Sequence, residues 1–268
     1  MEFRIFLPYC LPTDVEWAEV SDLARYEGYL DRLLDTCGTQ FPEKRDDTYL
    51  VGTPWYGLKY RAGDKLEVKV RTGCMEHNIE VWKKIKLGGK GLRIPDCKDA
   101  LLKLLGAEGC VFPCDSDLIT AEKMVCVRKA RNQISYGTGT IREVCLMTTD
   151  VHERRWLSIC IEGTKEEMKT LLRGPEFARG MPTSLMWETL HCAAKLARSR
   201  NVAMAAAQAF LPVAAGYPTW IRVASRNTTG SQEVAGVLGA VDSFLASVMW
   251  EPPPPPASTV LPPPVPKA

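Results

Sequence analysis

Gly57 to Arg71 read GLKYRAGDKLEVKVR, and this stretch sets the fold. Side chains alternate between two faces along a strand. Lys59 and Arg61 therefore share one face of a first strand, and Glu67, Lys69 and Arg71 share one face of a second. Leu66, Val68 and Val70 take the opposite face, and Gly63-Asp64 marks a hairpin turning at Ala62–Lys65. A face charged with this regularity either meets solvent or lines something anionic. Cross-strand charge pairs on a wet face contribute about 0.2–1 kcal/mol each, so the solvated reading stands beside the anion-binding one.

The alternation continues outward in both directions. Residues 2–8 form a strand that ends at Pro8. A helix follows over 14–37, with Leu23, Tyr26, Leu30, Leu33 and Cys37 in one stripe and Gly38 as its stop. DTYLVG and IEVWKKIKLGG flank the hairpin as further strands. A short helix is expected over Cys97–Leu105, then strands in KMVCVRKARNQIS, IREVCLMTTD and RRWLSICIEG. Lys165–Leu172 reads as a helical turn or two, and longer helices are expected over Ser184–Ser199 and Ser231–Met249. Many strands separated by turns, with inserted and C-terminal helices, define an α+β chain with a mainly antiparallel sheet. Charged and apolar faces on so many strands suit a closed, tunnel-like β-barrel with a polar lumen. They suit an open sheet with one wet face equally well.

Composition narrows the partners. A net charge of +2 gives no overall electrostatic case for nucleic acid, so an anion site must come from local clustering. No run of 18 apolar residues is present, so no membrane span is expected. The first residues, MEFRIFLPYC, read as a strand and not as a secretion signal. With ten single cysteines, the expectation is reduced thiols in a cytoplasmic or nuclear protein. Cys110 and Cys114 in CVFPC lack a second pair and make a weak zinc signal; the sequon at Asn227 carries little weight. His77, His152 and His191 lie in different elements and read as surface or capping residues, while Trp82, Trp156, Trp187 and Trp220 read as core anchors. Neither a phosphate-binding GxxxxGK[ST] loop nor a GxSxG elbow occurs. The last seventeen residues, 252–268, carry nine prolines. They are expected to form an extended polyproline II tail of ~50 Å, at about 3.1 Å per residue. Such a tail suits either a disordered end or docking to an SH3, WW or profilin-type partner.

The order of motifs resembles the CYTH family, the triphosphate tunnel metalloenzymes, over roughly residues 1–222. MEFRIFLP sits at that family's first strand, and DDTYLVGTP resembles the next strand. Leu58-Lys59-Tyr60-Arg61 matches L-[RK]-x-R, Glu67-Val68-Lys69 the lysine strand, and Lys129-Ala130-Arg131 the K-x-R strand. SICIEG, ending at Glu162, stands where E-x-E belongs, and AGYPTWI at 215–221 resembles the closing segment. The resemblance implies an eight-stranded antiparallel tunnel. Lys59, Arg61, Lys69, Arg71, Lys84, Lys129 and Arg131 would clamp phosphates, and Glu2, Glu67 and Glu162 would hold Mg²⁺ or Mn²⁺. It divides the chain into a tunnel domain at 1–222, a C-terminal helix at 223–251 and the proline-rich tail at 252–268.

The departures fall on the metal side. The first strand offers Met1, Phe3 and Ile5 in one phase, or Glu2, Arg4 and Phe6 in the other. The expected acidic strand reads Val144-Cys145-Leu146-Met147, and Cys160 replaces the partner of Glu162. Buried small hydrophobes are the natural reading of Cys145 and Cys160. Mg²⁺ takes oxygen ligands, and thiols and thioethers serve it poorly. The expectation is a tunnel that binds a triphosphate, polyphosphate or nucleotide, with metal-dependent hydrolysis weakened. The alternative is a non-catalytic scaffold that joins an assembly through its tail.

Overall fold

The computed structural model describes residues 1–8, 20–37, 41–51, 56–61, 65–75, 79–85, 124–135, 139–150, 155–168, 183–198 and 212–225, with single positions within 91–107 and 235–242. Eight strands run β1 (Glu2–Pro8), β2 (Glu43–Leu50), β3 (Tyr56–Arg61), β4 (Lys65–Met75), β5 (Ile79–Ile85), β6 (Met124–Ser135), β7 (Ile141–Thr149) and β8 (Arg155–Glu162). The helices are α1 (Val20–Cys37), α2 (Thr183–Arg198) and α3 (Tyr217–Ser225). The strands close into one antiparallel barrel in the order β1-β5-β4-β3-β2-β6-β7-β8. Closure removes every sheet edge and decides between the two readings of the alternating strands.

Two apolar clusters coat the outside of the barrel, which leaves the polar face of each strand inside. Phe3, Ile5 and Leu7 of β1, with Leu157, Ile159 and Ile161 of β8, are buried with Tyr26, Leu30 and Leu33 of α1 and with Leu190, Ala193 and Ala194 of α2. The Tyr26 hydroxyl donates to the Pro8 carbonyl at 2.6 Å and ties α1 to the end of β1. The opposite side is covered by Leu58, Leu66, Val68, Val70 and Leu101. β1 is buried along its whole length because helices lie over one face and the lumen takes the other.

One seam is nearly open. β1 pairs with β5 only at Glu2 and Glu80, whereas it pairs with β8 from Glu2 to Pro8. Residues 213–220 fill the gap. Phe6 N–H donates to Val213 O at 2.7 Å, and Val213 N–H donates back to Phe6 O at 2.9 Å. A Cβ on Gly216 would collide with the Glu80 carboxylate and lie 3.0 Å from Trp82, so a side chain there would have to push Glu80 aside. Tyr217 and Pro218 then enter the lumen, and the Trp220 ring stacks on Phe6 at 4.7 Å.

Several expectations need adjustment. β2 starts at Glu43, earlier than DTYLVG, and α3 occupies a segment for which no helix was expected. The 14–37 helix is described from Val20. Val223, Ala224, Leu238 and Val241 belong to the main buried cluster. Most of Cys97–Leu105, and Cys110, Cys114, Asn227 and 252–268, lie outside the described residues. So do His77, His152 and the side chain of Trp187. Among the described residues, no helix is long and apolar enough to cross a membrane.

Candidate functional site

The strand faces left inside the barrel converge on one cavity of about 290 Å³. That volume is just below the roughly 300–1,000 Å³ usual for small-ligand sites. Its wall carries Arg4, Arg45, Lys59, Arg61, Lys69, Lys84, Lys129 and Arg131 against Glu2, Glu67, Glu143 and Glu162. Cations outnumber carboxylates two to one.

The buried carboxylates are therefore shared. Glu67 Oε1 accepts from Lys84 Nζ at 3.0 Å and Arg61 Nη1 at 3.3 Å, while Lys59 lies 3.6 Å from Oε2. Asp47, fully buried behind the wall, accepts from Lys129 at 2.9 Å and Lys59 at 3.1 Å, with Arg45 ion-paired at 3.0 Å. Glu2 accepts from Arg4 Nε at 2.8 Å on one oxygen and from Lys69 at 3.1 Å on the other. Glu143 accepts from Arg4 Nη1 on Oε1, and from Arg131 and Gln133 on Oε2.

The titration shifts follow from this crowding. Burial pushes the Glu2 carboxyl up, but Arg4 and Lys69 outweigh it and hold it at about 2. Burial also opposes ionisation of Glu67, and Lys84 and Lys59 hold that carboxyl at about 2. Against the same burial cost, cations hold Asp47 and Glu143 well below the usual carboxylate range. Lys129 goes the other way. Burial, followed by repulsion from Lys59, brings its ammonium down to about 7 despite the contact with Asp47. Excess positive charge in a desolvated lumen is the common cause.

Aromatic rings support the cations. Arg4 lies over the Tyr217 ring at 4.5 Å, and Lys129 over the same ring at 3.9 Å. The ring faces attract both cations. The Tyr49 hydroxyl forms a short contact with Lys129, and its ring stacks on Tyr217 at 5.1 Å.

The structure brings Lys59, Arg61, Lys69, Lys84, Lys129 and Arg131 into the cavity wall. Arg71 lies at the bulge between Arg71 and Gly73 and does not line the cavity; it donates at 3.1 Å to Glu80, whose other oxygen accepts from the wall residue Trp82. Glu2 and Glu162 come together with Cys160, their ligand atoms within 4.8 Å of one another. Glu67 belongs instead to the Lys59–Arg61–Lys84 group. Cys145 and Cys160 are fully buried. Trp82, expected as a core anchor, lines the cavity and donates to Glu80 at 2.9 Å, whereas Trp156 and Trp220 are core residues. His191 is exposed on α2. Sequence reasoning passed over Glu143, Asp47, Arg45 and Tyr217. Glu143 shares a period-two phase with Cys145 and Met147 of the same strand, and that phase was the available signal.

The donor set does not suit Mg²⁺ or Mn²⁺. Both oxygens of Glu2 and both of Glu143 already accept from the protein's own cations. Glu162 is 42 % exposed and sits 3.8 Å from Arg4 Nη2. The third member of the cluster, Cys160, offers sulfur where a hard cation needs oxygen.

No protein-family model matches the chain, and no curated protein does. Among the solved structures that are similar, three are as follows. The Hippeastrum protein HpAC1, described as having a dominant triphosphatase activity, is 17% identical with a TM-score of 0.34, over 68% of this chain and 89% of that one. PH1819 from Pyrococcus horikoshii OT3 is 13% identical with a TM-score of 0.29, over 70% and 90%. PH1012 from the same organism is 13% identical with a TM-score of 0.28, over 76% and 94%. Fold and lumen together define the class: an eight-stranded antiparallel tunnel with a cation-rich interior.

Proposed function

We propose that the chain binds a phosphate-rich anion, of the size of a triphosphate, inside the barrel. One observation carries the reading: a cavity inside the barrel whose wall holds twice as many cations as carboxylates. Guanidinium groups match phosphate oxygens in bidentate fashion, and ammonium groups act as point charges. Cations that share carboxylates keep N–H donors for a ligand, and bound phosphate would favour the charged form of Lys129, which burial and then repulsion from Lys59 oppose. Lys59, Arg61, Lys69, Lys84, Lys129 and Arg131 are the anion ligands, and Arg4 and Arg45 join them. Arg71 serves β5 through Glu80.

The test is thermal unfolding with tripolyphosphate, ATP and sulfate at low ionic strength. A ligand specific for the folded state stabilises it by mass action, about 2.7 kcal/mol at a hundredfold excess over Kd. Tripolyphosphate raises the midpoint most, sulfate least, and added NaCl reduces the shift. No shift with any phosphate would end the reading. Phosphate release assayed in parallel with Mg²⁺ and Mn²⁺ asks whether hydrolysis accompanies binding.

A further inference from the structure

We infer that the Arg4 guanidinium is a built-in cation that takes the place of a divalent metal in the tunnel, so that anion binding here is independent of metal. The inference rests on the anion-binding reading above for its consequence, and on the geometry of β1 for its cause.

Arg4 is buried at the meeting point of β1, β7 and β8. Its Nε donates to Glu2 at 2.8 Å, its Nη1 to Glu143 and to the Ser158 hydroxyl at 2.9 Å each, and its Nη2 lies 3.8 Å from Glu162. Tyr217 closes one face of the guanidinium at 4.5 Å. Three carboxylates from three strands thus converge on one guanidinium. An arginine cannot lose its proton inside a protein, so this positive charge is permanent. A dication brought to the same oxygens would meet a fixed like charge. It would also have to displace Lys69 from Glu2 and Arg131 from Glu143.

The same geometry explains what the guanidinium does for a ligand. A divalent ion in such a tunnel would neutralise the carboxylates and present positive charge to phosphate. Arg4 lies in the cavity wall and does both. What it does not supply is a metal-bound water, so the tunnel is built to hold an anion without that nucleophile.

The experiment has two readouts. Mn²⁺ binding is followed by electron paramagnetic resonance without any anion, and tripolyphosphate binding by calorimetry in EDTA. Wild type, Arg4→Met and Arg4→Lys are compared. Wild type is expected to leave Mn²⁺ free at submillimolar concentration and to bind tripolyphosphate in EDTA. Arg4→Met is expected to bind Mn²⁺ at least tenfold more tightly than wild type and tripolyphosphate in EDTA at least tenfold more weakly. Arg4→Lys, which keeps the charge, still excludes Mn²⁺. Tight Mn²⁺ binding by wild type, or tripolyphosphate binding that EDTA abolishes, overturns the inference. Wild type carries both decisive readouts should Arg4→Met fail to fold. Absence of tripolyphosphate binding under all conditions would sink the anion-binding reading, while the Mn²⁺ arm would still judge Arg4.

Discussion

Glu143→Gln removes one negative charge from the lumen and keeps the side chain's size. The carboxylate it replaces accepts from Arg4 Nη1 at 2.9 Å, from Arg131 Nε at 2.9 Å and from Gln133 at 2.9 Å. Arg4 and Arg131 are both buried; without their shared partner Arg4 keeps Glu2 at 2.8 Å and Arg131 keeps Glu43 at 2.9 Å, so the loss of compensation is partial. Breaking a buried pair by removing one partner costs roughly 3–5 kcal/mol, and the amide oxygen of Gln keeps this change near the lower figure. For a chain of this size about 1 kcal/mol moves the midpoint by roughly 2–4 °C. The variant should therefore melt about 6–12 °C below wild type. The second half of the prediction has the opposite sign. Each guanidinium loses one carboxylate contact and gains a donor for the ligand, and a hydrogen bond to a charged group contributes roughly 1.5–3 kcal/mol. Tripolyphosphate should accordingly bind Glu143→Gln at least tenfold more tightly than wild type and recover most of the lost midpoint. The assay is thermal unfolding across a tripolyphosphate series. A variant within about 2 °C of wild type would show that Glu143 does not neutralise the lumen. A smaller ligand shift than in wild type would show that Arg4 and Arg131 are not anion ligands.

Anion affinity should fall as pH rises above about 7, where buried Lys129 gives up its proton, and calorimetry in buffers of different ionisation enthalpy should show proton uptake on binding between pH 7 and 9. Without ligand the sign reverses. The native state loses the Lys129 proton before the unfolded chain does, so this group's contribution to stability rises from pH 7 upwards, which urea titrations at pH 7 and 9 would reveal. Glu2 and Glu67, both held at about 2, contribute stability that is full above their ordinary value of 4.5 and lost as pH falls from there towards 2; urea midpoints across that window should drop steadily. Gly216→Ala forces a methyl against Glu80 and Trp82 and should cost about 1–3 kcal/mol with a change in Trp fluorescence, whereas a neutral result would mean that the seam between β1 and β5 is loose.

The strands were legible because period two is a local property. The face carrying Lys59, Arg61, Glu67 and Lys69 could be read residue by residue, and it is the face that turned inward. Closure was not legible, because it depends on pairings such as β2 with β6 and β1 with β8 that join distant segments. The phase of β1 could have been chosen from its apolar residues. Phe3, Ile5 and Leu7 must meet the helices, which sends Glu2 and Arg4 inside. Glu143 escaped because the acidic strand was read from Val144. The β6–β7 register places Gln133 opposite Glu143 and Arg131 opposite Cys145, so the lumen phase of β7 runs through Glu143. α3 escaped because Tyr-Pro-Thr-Trp was read as an irregular closing segment, although proline is well tolerated in a first helical turn. Arg4 could be read as a departure from an acidic pattern, but three carboxylates from three strands meet on it only in the closed barrel.

The most direct test uses Lys69 and Lys84, whose side chains are 37 % and 49 % exposed, so that their removal disturbs the barrel least. Calorimetric titration of tripolyphosphate into wild type and into Lys69→Ala/Lys84→Ala, at low salt and in EDTA, measures the anion site itself. Binding by wild type that weakens at least tenfold in a variant still folded by circular dichroism is the predicted result. Absence of binding by wild type, or equal binding by both proteins, would contradict an anion-binding lumen.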